Sequence, residues 1–162
     1  MTDSARLAAL LEDTVAARDE LLAAIDAVDA GSLTTPGLIG EWSARELIAH
    51  LGYWAGHAVE AIHAVEDGRA GEFGEGRPSA DEINATVARV ARDADLATVR
   101  KRESASVEAL LERLRRLDPS ILATRLPHHG LNLEEALRED GPDHYREHAE
   151  QLRHLGQDAG RA

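Results

Sequence analysis

The sequence predicts an all-α protein, a four-helix bundle with long crossover loops and a kinked last helix. Three observations lead to this prediction. Apolar residues recur at helical spacing over most of the chain, Ser-x-x-Glu sequences mark helix starts, and no segment has the strict alternation of a half-buried strand. Because a chain of this length can bury a core without disulfides, we expect one domain spanning residues 1–162.

The first predicted helix runs from Asp3 to about Ala30. Its apolar residues lie three or four positions apart with Asp, Glu and Arg between them, as in a helix with one buried face. Residues 31–40 then concentrate glycine, proline and hydroxyl side chains, which favour turns. We therefore expect this segment to connect the first helix to the second.

Two capping boxes mark the next helix starts. In a capping box each side chain bonds to an otherwise unpaired backbone N–H of the other residue. Ser43-Ala-Arg-Glu46 predicts a second helix from Ser43 to about Asp67, and Ser79-Ala-Asp-Glu82 predicts the start of a third. The glycine-rich segment 68–78 between them is long enough to cross the end of a bundle.

The third and fourth helices are predicted with interruptions. Helical spacing continues to Leu117, with an irregularity expected near Asp95 or Ser104. The last helix is expected over residues 131–155, either kinked at Gly141-Pro142 or divided there into a short helix and a longer one, because proline disrupts helical hydrogen bonding.

Composition excludes several classes of function. The chain has no cysteine, which rules out disulfides, thiolate ligands and a cysteine nucleophile. Its net charge of -12 repels a phosphate backbone, so we expect no nucleic-acid partner. The N-terminus lacks the basic start and apolar block of a signal peptide, and no apolar run approaches the roughly 18 residues of a membrane span, so we expect a cytoplasmic protein.

Histidines form the principal candidate site. His144 and His148 lie four residues apart, hence one turn apart on one helix face, where both can ligate one ion. His50 lies in an apolar stripe, and a buried imidazole needs a partner. Three protein ligands would leave coordination positions open, as in catalytic metal sites. The alternative is that these are core histidines hydrogen-bonded to backbone carbonyls or carboxylates.

Two segments carry a family resemblance. Residues 41–51, Glu-Trp-Ser-Ala-Arg-Glu-Leu-Ile-Ala-His-Leu, with the aromatic pair Tyr53-Trp54 after them, resemble the second-helix signature of the DinB-like superfamily of damage-inducible four-helix bundles. Residues 143–152 resemble its last-helix signature. The resemblance implies that His50, His144 and His148 bind a divalent metal, with zinc or nickel expected, and it implies a homodimer that the sequence itself does not show.

The resemblance implies several activities. Family members include S-transferases that use a low-molecular-weight thiol such as mycothiol, related isomerases, and proteins that open a reactive natural product as self-resistance. We therefore expect a metal-dependent thiol S-transferase or hydrolase acting on an electrophilic small molecule. The alternatives are a metal-free binding or self-resistance protein and a structural bundle without chemistry.

Weaker catalytic candidates surround the three histidines. His57 lies seven residues after His50 on nearly the same face, where it would support a ligand, carry a proton, substitute for a ligand or simply pack. Tyr53 and Tyr145 are candidate proton donors that pack equally well at the edge of a core. Some further residues are expected near the site or outside it: Trp42 and Trp54 as pocket walls or as packing residues, Asp143 orienting a ligand, His128 and His129 in a loop, exposed or capping a pocket, and His63, His154 and the carboxylates of residues 134–140 on solvated faces.

Overall fold

The predicted all-α bundle is confirmed by the computed structural model, which describes residues 1–159. Four long helices form it, namely α1 (Asp3–Asp26), α2 (Ala44–Glu66), α4 (Leu96–Arg116) and α6 (His144–Ala159). Two shorter helices, α3 (Ala80–Arg92) and α5 (Leu133–Arg138), lie in the connections. No helix among the described residues is both long and apolar enough to cross a membrane.

Helix α2 is the central helix, packed against α3 and α4, while α1 packs against α6. Ala55, Ala58 and Ala61 are fully buried along it, and these small side chains let the neighbouring helices approach closely. The closest approach is at Gly52, where an added Cβ would lie 2.9 Å from the Cα of Glu103 on α4. The register between α2 and α4 therefore depends on glycine at this position.

We expect Gly52→Ala to destabilise the protein although alanine is the better helix former. Alanine gains about 1 kcal/mol of helix propensity over glycine, but a contact with backbone forces the two helices apart at a cost of about 1–3 kcal/mol. Urea denaturation should show a net loss for Gly52→Ala. Gly56→Ala is the matched control because its added Cβ would meet only the Ser106 hydroxyl at 3.9 Å, and equal stability of the two variants would contradict the packing argument.

Two helix boundaries differ from the prediction. Helix α1 ends at Asp26 instead of near Ala30, and residues Ala30–Ser32 form a separate 3₁₀ turn. The expected third helix is two helices, separated after Arg92. The predicted irregularity lies at Asp95, whose side chain accepts a hydrogen bond from Thr98 N at 2.7 Å and so starts α4 as an N-cap.

The capping boxes fix the starts of α2 and α3 as predicted. Ser43 N donates to Glu46 Oε2 at 3.1 Å, and Ser79 N donates to Glu82 Oε2 at 2.9 Å. Glu46 also accepts from Arg92 Nε at 3.0 Å, so the end of α3 is tied to the start of α2. A third capping box, Asn132 with Glu135, begins α5 and was not predicted.

The predicted kink before the last helix is present as a π-helical turn over Glu139–Asp143. Gly141 departs from helical geometry (φ −107°, ψ −112°) because the proline that follows it disfavours the α conformation. A short hairpin lies before α5. Its two-residue strands, β1 (Arg125–Leu126) and β2 (Leu131–Asn132), pair antiparallel. Strands this short leave no alternating pattern in the sequence, which explains why none was predicted.

Candidate functional site

The structure brings His50, His144 and His148 together between α2 and α6. One nitrogen from each ring lies within 4.8 Å of the others, close enough for all three to reach one metal ion. The Nε2 atoms of His50 and His144 are 2.7 Å apart, and the ring centroids of the three histidines lie 4.6–5.3 Å from one another. Three imidazole nitrogens therefore converge on one point.

The kink before α6 determines which side chains reach this point. His144 is the first residue of α6, directly after the π-helical turn, and His148 follows one helical turn later on the same face. Gly141 and Pro142 in that turn are buried. The turn thus directs the first residues of α6 toward α2, where His50 lies seven residues after the N-cap Ser43.

Burial keeps these imidazoles neutral. His50 and His148 are 6% and 8% exposed, and His144 is half-buried. Burial, with a smaller contribution from the charge of His148, lowers the pKa of His50 to about 4. Burial and the neighbouring histidines lower the pKa of His144 to about 3, and burial also lowers the pKa of His148. Neutral imidazole is the form that ligates metals.

Two amide side chains lie within hydrogen-bond distance of ring nitrogens of His50 and His148. The Nδ1 atom of His50 lies 3.1 Å from Asn84 Oδ1, and Nδ1 of His148 lies 2.8 Å from Gln151 Oε1. Such partners orient metal-binding histidines and fix which nitrogen is available. Neither Asn84 nor Gln151 was predicted from the sequence. The three-residue spacing of His148 and Gln151 could have indicated their contact, because both lie on one helix face. Asn84 and His50 are 34 residues apart, and no local sequence pattern indicates that they meet.

A cleft of about 560 Å³ opens beside the histidines. This volume lies in the range of small-molecule sites. The cleft is lined by His50 and His144, by Trp54 and Asn84, by Ala80, Leu131 and Arg138, and by the carboxylates of Glu135, Glu139, Asp140, Asp143 and Glu147. A small ligand in the cleft would therefore contact two of the three imidazoles directly.

The weaker catalytic candidates lie in different environments. His57 is buried behind the cleft, where its Nδ1 lies 2.6 Å from Asp140 Oδ2 and its ring packs against Phe73 and Trp54. Tyr53 is partly exposed and its ring contacts Trp54. Tyr145 is buried and donates its hydroxyl hydrogen to Glu103 at 2.8 Å, so its hydroxyl faces a different part of the core from the adjacent His144.

Both tryptophans lie near His50, whereas Asp140 is buried instead of solvated. The ring centroids of Trp42 and Trp54 lie 5.0 and 6.4 Å from that of His50, and Trp54 lines the cleft. Asp143 also lines the cleft. Asp140 was expected on a solvated face, but it is 5% exposed because the π-helical turn rotates it inward to meet His57.

The remaining histidines lie outside the cluster. His63, His154 and His128 are exposed. His129 is partly buried, and its ring stacks near Phe73 at a centroid distance of 5.9 Å and lies 5.7 Å from His57. The exposed His63 and His154 therefore provide matched controls for substitutions in the cluster.

The low pKa values predict a pH-dependent stability of the metal-free protein. Unfolding restores a pKa of about 6.5 to each imidazole. Between that pH and the lower pKa values of the folded state, His50 and His144 are protonated in the unfolded chain but neutral in the folded protein. The free energy of unfolding should therefore be highest above about pH 7 and fall as the pH decreases toward 4. Urea denaturation with EDTA between pH 7.5 and 5 measures this slope, and His144→Gln should flatten it. An identical slope in parent and variant would contradict the lowered pKa of His144.

Comparison with known proteins identifies the family to which the chain belongs. The model of the family described as the DinB superfamily matches residues 13–157, a range that includes all three histidines. No curated protein and no solved structure matches the chain.

Proposed function

We propose that this chain, which belongs to the DinB superfamily, is a divalent-metal-dependent enzyme that transfers a low-molecular-weight thiol to an electrophilic small molecule. The observation that supports the proposal best is the convergence of three neutral imidazoles within 4.8 Å at a cleft. Two of the three lie on the cleft wall, so a bound ion would be open to a ligand on that side.

The donor set fits a zinc or nickel ion. Imidazole nitrogen suits both metals, and three protein ligands leave coordination positions for water or substrate. Asn84 lies within hydrogen-bond distance of Nδ1 of His50, and Gln151 lies within hydrogen-bond distance of Nδ1 of His148. In both rings Nε2 is therefore the nitrogen left for a metal. The site therefore has the ligands, the protonation state and the supporting hydrogen bonds that such an ion needs.

The protein side chains would bind the thiol and accept its proton. When bound, the metal would lower the pKa of a coordinated thiol or water. Asp143 is exposed and lines the cleft next to His144 in the chain, and its carboxylate would accept the S–H proton. The thiolate sulfur then forms a bond to the electrophilic carbon, the bond to the leaving group breaks, and the carboxylate returns the proton to that group. The absence of cysteine is compatible with this scheme, since the sulfur arrives with the cofactor.

The charge of the cleft favours a thiol without net negative charge. Glu139, Asp143 and Glu147 are exposed and line it, whereas the Arg138 guanidinium lies 3.3 Å from Asp13 and 3.5 Å from Glu134. An anionic thiol such as glutathione would enter a field of like charge. Mycothiol is therefore the better candidate among the thiols that the family uses.

The proposal is tested by thiol-dependent turnover of the zinc- and nickel-loaded protein. With 1-chloro-2,4-dinitrobenzene as electrophile and mycothiol or glutathione as thiol, we expect thioether formation that is faster with mycothiol. His144→Ala should lower the rate about 100-fold or more, and His63→Ala should leave it unchanged. A product in which a hydroxyl group from water, instead of the thiol sulfur, replaces the leaving group would indicate a hydrolase. A rate that is the same in parent, His144→Ala and EDTA-treated protein would refute metal-dependent catalysis.

A further inference from the structure

Asn84 lies on α3, outside the histidine cluster, and contacts two residues of α2. Its side-chain Oδ1 lies 2.9 Å from Trp54 Nε1 and 3.1 Å from His50 Nδ1. It also lines the cleft. One amide oxygen thus connects a cleft wall to a candidate metal ligand.

Trp54 identifies the atom that Asn84 presents. The oxygen and nitrogen of an amide have nearly the same shape, so their assignment depends on the hydrogen-bond partners. An indole N–H is a donor and never an acceptor. The Asn84 atom at 2.9 Å from Trp54 Nε1 must therefore be the oxygen, because the amide nitrogen would place two donors against each other.

The same oxygen then determines the tautomer of His50. A carbonyl oxygen accepts hydrogen bonds and cannot donate one, so Nδ1 of His50 must carry the ring hydrogen. A neutral imidazole has only one such hydrogen, which leaves the lone pair on Nε2. That is the nitrogen 2.7 Å from His144 Nε2, inside the cluster.

We propose that Asn84 is a positioning residue that holds His50 in the Nδ1–H tautomer and thereby presents the Nε2 lone pair to a divalent metal. Trp54 acts one step further out by fixing the orientation of the Asn84 amide. The metal part of this inference rests on the proposed function, whereas the tautomer is a property of the protein alone and is measured without metal.

The first test is the tautomer itself. Long-range ¹H–¹⁵N correlation spectra of ¹⁵N-labelled, EDTA-treated protein at pH 7 distinguish a protonated ring nitrogen from one with a lone pair. We expect hydrogen on Nδ1 of His50 and a lone pair on Nε2. Hydrogen on Nε2 of His50 would overturn the proposal, whether or not the protein binds metal.

The second test is zinc affinity in variants of the two supporting amides. Asn84→Leu removes the acceptor at similar volume and should raise the zinc Kd about 10–100-fold while abolishing the His50 tautomer preference. Asn84→Asp restores an oxygen acceptor and should bind zinc at least as tightly as the parent. Gln151→Ala is the matched control, because it removes the partner of His148 and should leave the His50 tautomer unchanged.

The controls separate this inference from the proposed function. Circular dichroism checks that each variant is folded, and Asn84→Ala, which keeps good helix propensity in α3, replaces Asn84→Leu if that variant is not. An unchanged Kd and tautomer in a folded Asn84→Leu or Asn84→Ala protein would refute the role of Asn84. A parent protein that binds neither zinc nor nickel would refute the proposed function, and the tautomer measurement would still decide the role of Asn84.

Discussion

Replacing Glu103 with alanine is expected to lower the free energy of unfolding by about 3–5 kcal/mol. The Glu103 carboxylate is buried in the core and accepts hydrogen bonds from Arg18 Nε at 3.1 Å, from Arg18 Nη2 at 3.0 Å and from the Tyr145 hydroxyl at 2.8 Å. Without this carboxylate, the Arg18 guanidinium loses its partner, and water cannot fully replace it because the Arg18 side chain is only 21% exposed. Breaking one member of a buried pair costs more than the pair itself contributes.

Urea denaturation of three variants checks this expectation. Tyr145→Phe removes one hydrogen bond and keeps the ring, so it should cost only about 1 kcal/mol. Glu112→Ala on the same helix breaks the exposed pair with Arg116 and should change stability by less than about 1 kcal/mol. If Glu103→Ala cost no more than Glu112→Ala, the buried network would not contribute to the fold as described.

Zinc is expected to raise the thermal stability of the parent protein strongly. A ligand that binds only the folded state stabilises it by about 4 kcal/mol when its free concentration is about 1,000 times Kd. For a domain of this size that corresponds to an increase in Tm of roughly 10 °C. In His144→Ala the increase should nearly disappear because two ligands bind a metal far more weakly than three.

Thermal denaturation with zinc and with EDTA measures this difference. His154→Ala, which removes an exposed histidine of the same helix, should keep the full increase. An equal increase in His144→Ala and the parent would mean that zinc stabilises the protein from another position.

Local sequence patterns were sufficient to predict the helices and to single out the candidate metal-binding histidines. Apolar spacing predicts helices wherever one face is buried, and the capping boxes at Ser43 and Ser79 locate helix starts because both partners lie within four residues. The His144 and His148 pair could be recognised for the same reason. His50 could be assigned a buried position from its apolar neighbours, although its partners could not be derived from spacing alone.

Contacts between different helices could not be predicted from local sequence patterns. Asn84 meets His50 across 34 positions of sequence, and Glu103 meets Tyr145 across 42. The first contact depends on how the loops place α3 against α2, and the second on how they place α4 against α6. Asp140 was expected on a solvated face because an ideal helix would place it there, whereas the π-helical turn at Gly141 and Pro142 rotates it inward.

The measurement that tests the central claim most directly is the metal content of protein purified without added metal or chelator. The parent and His63→Ala should contain close to one equivalent of zinc or nickel, and His50→Ala, His144→Ala and His148→Ala should each contain almost none, because the three imidazoles converge within 4.8 Å. A parent that contains no divalent metal, even after reconstitution with zinc and nickel, would contradict the metal site and the function proposed from it.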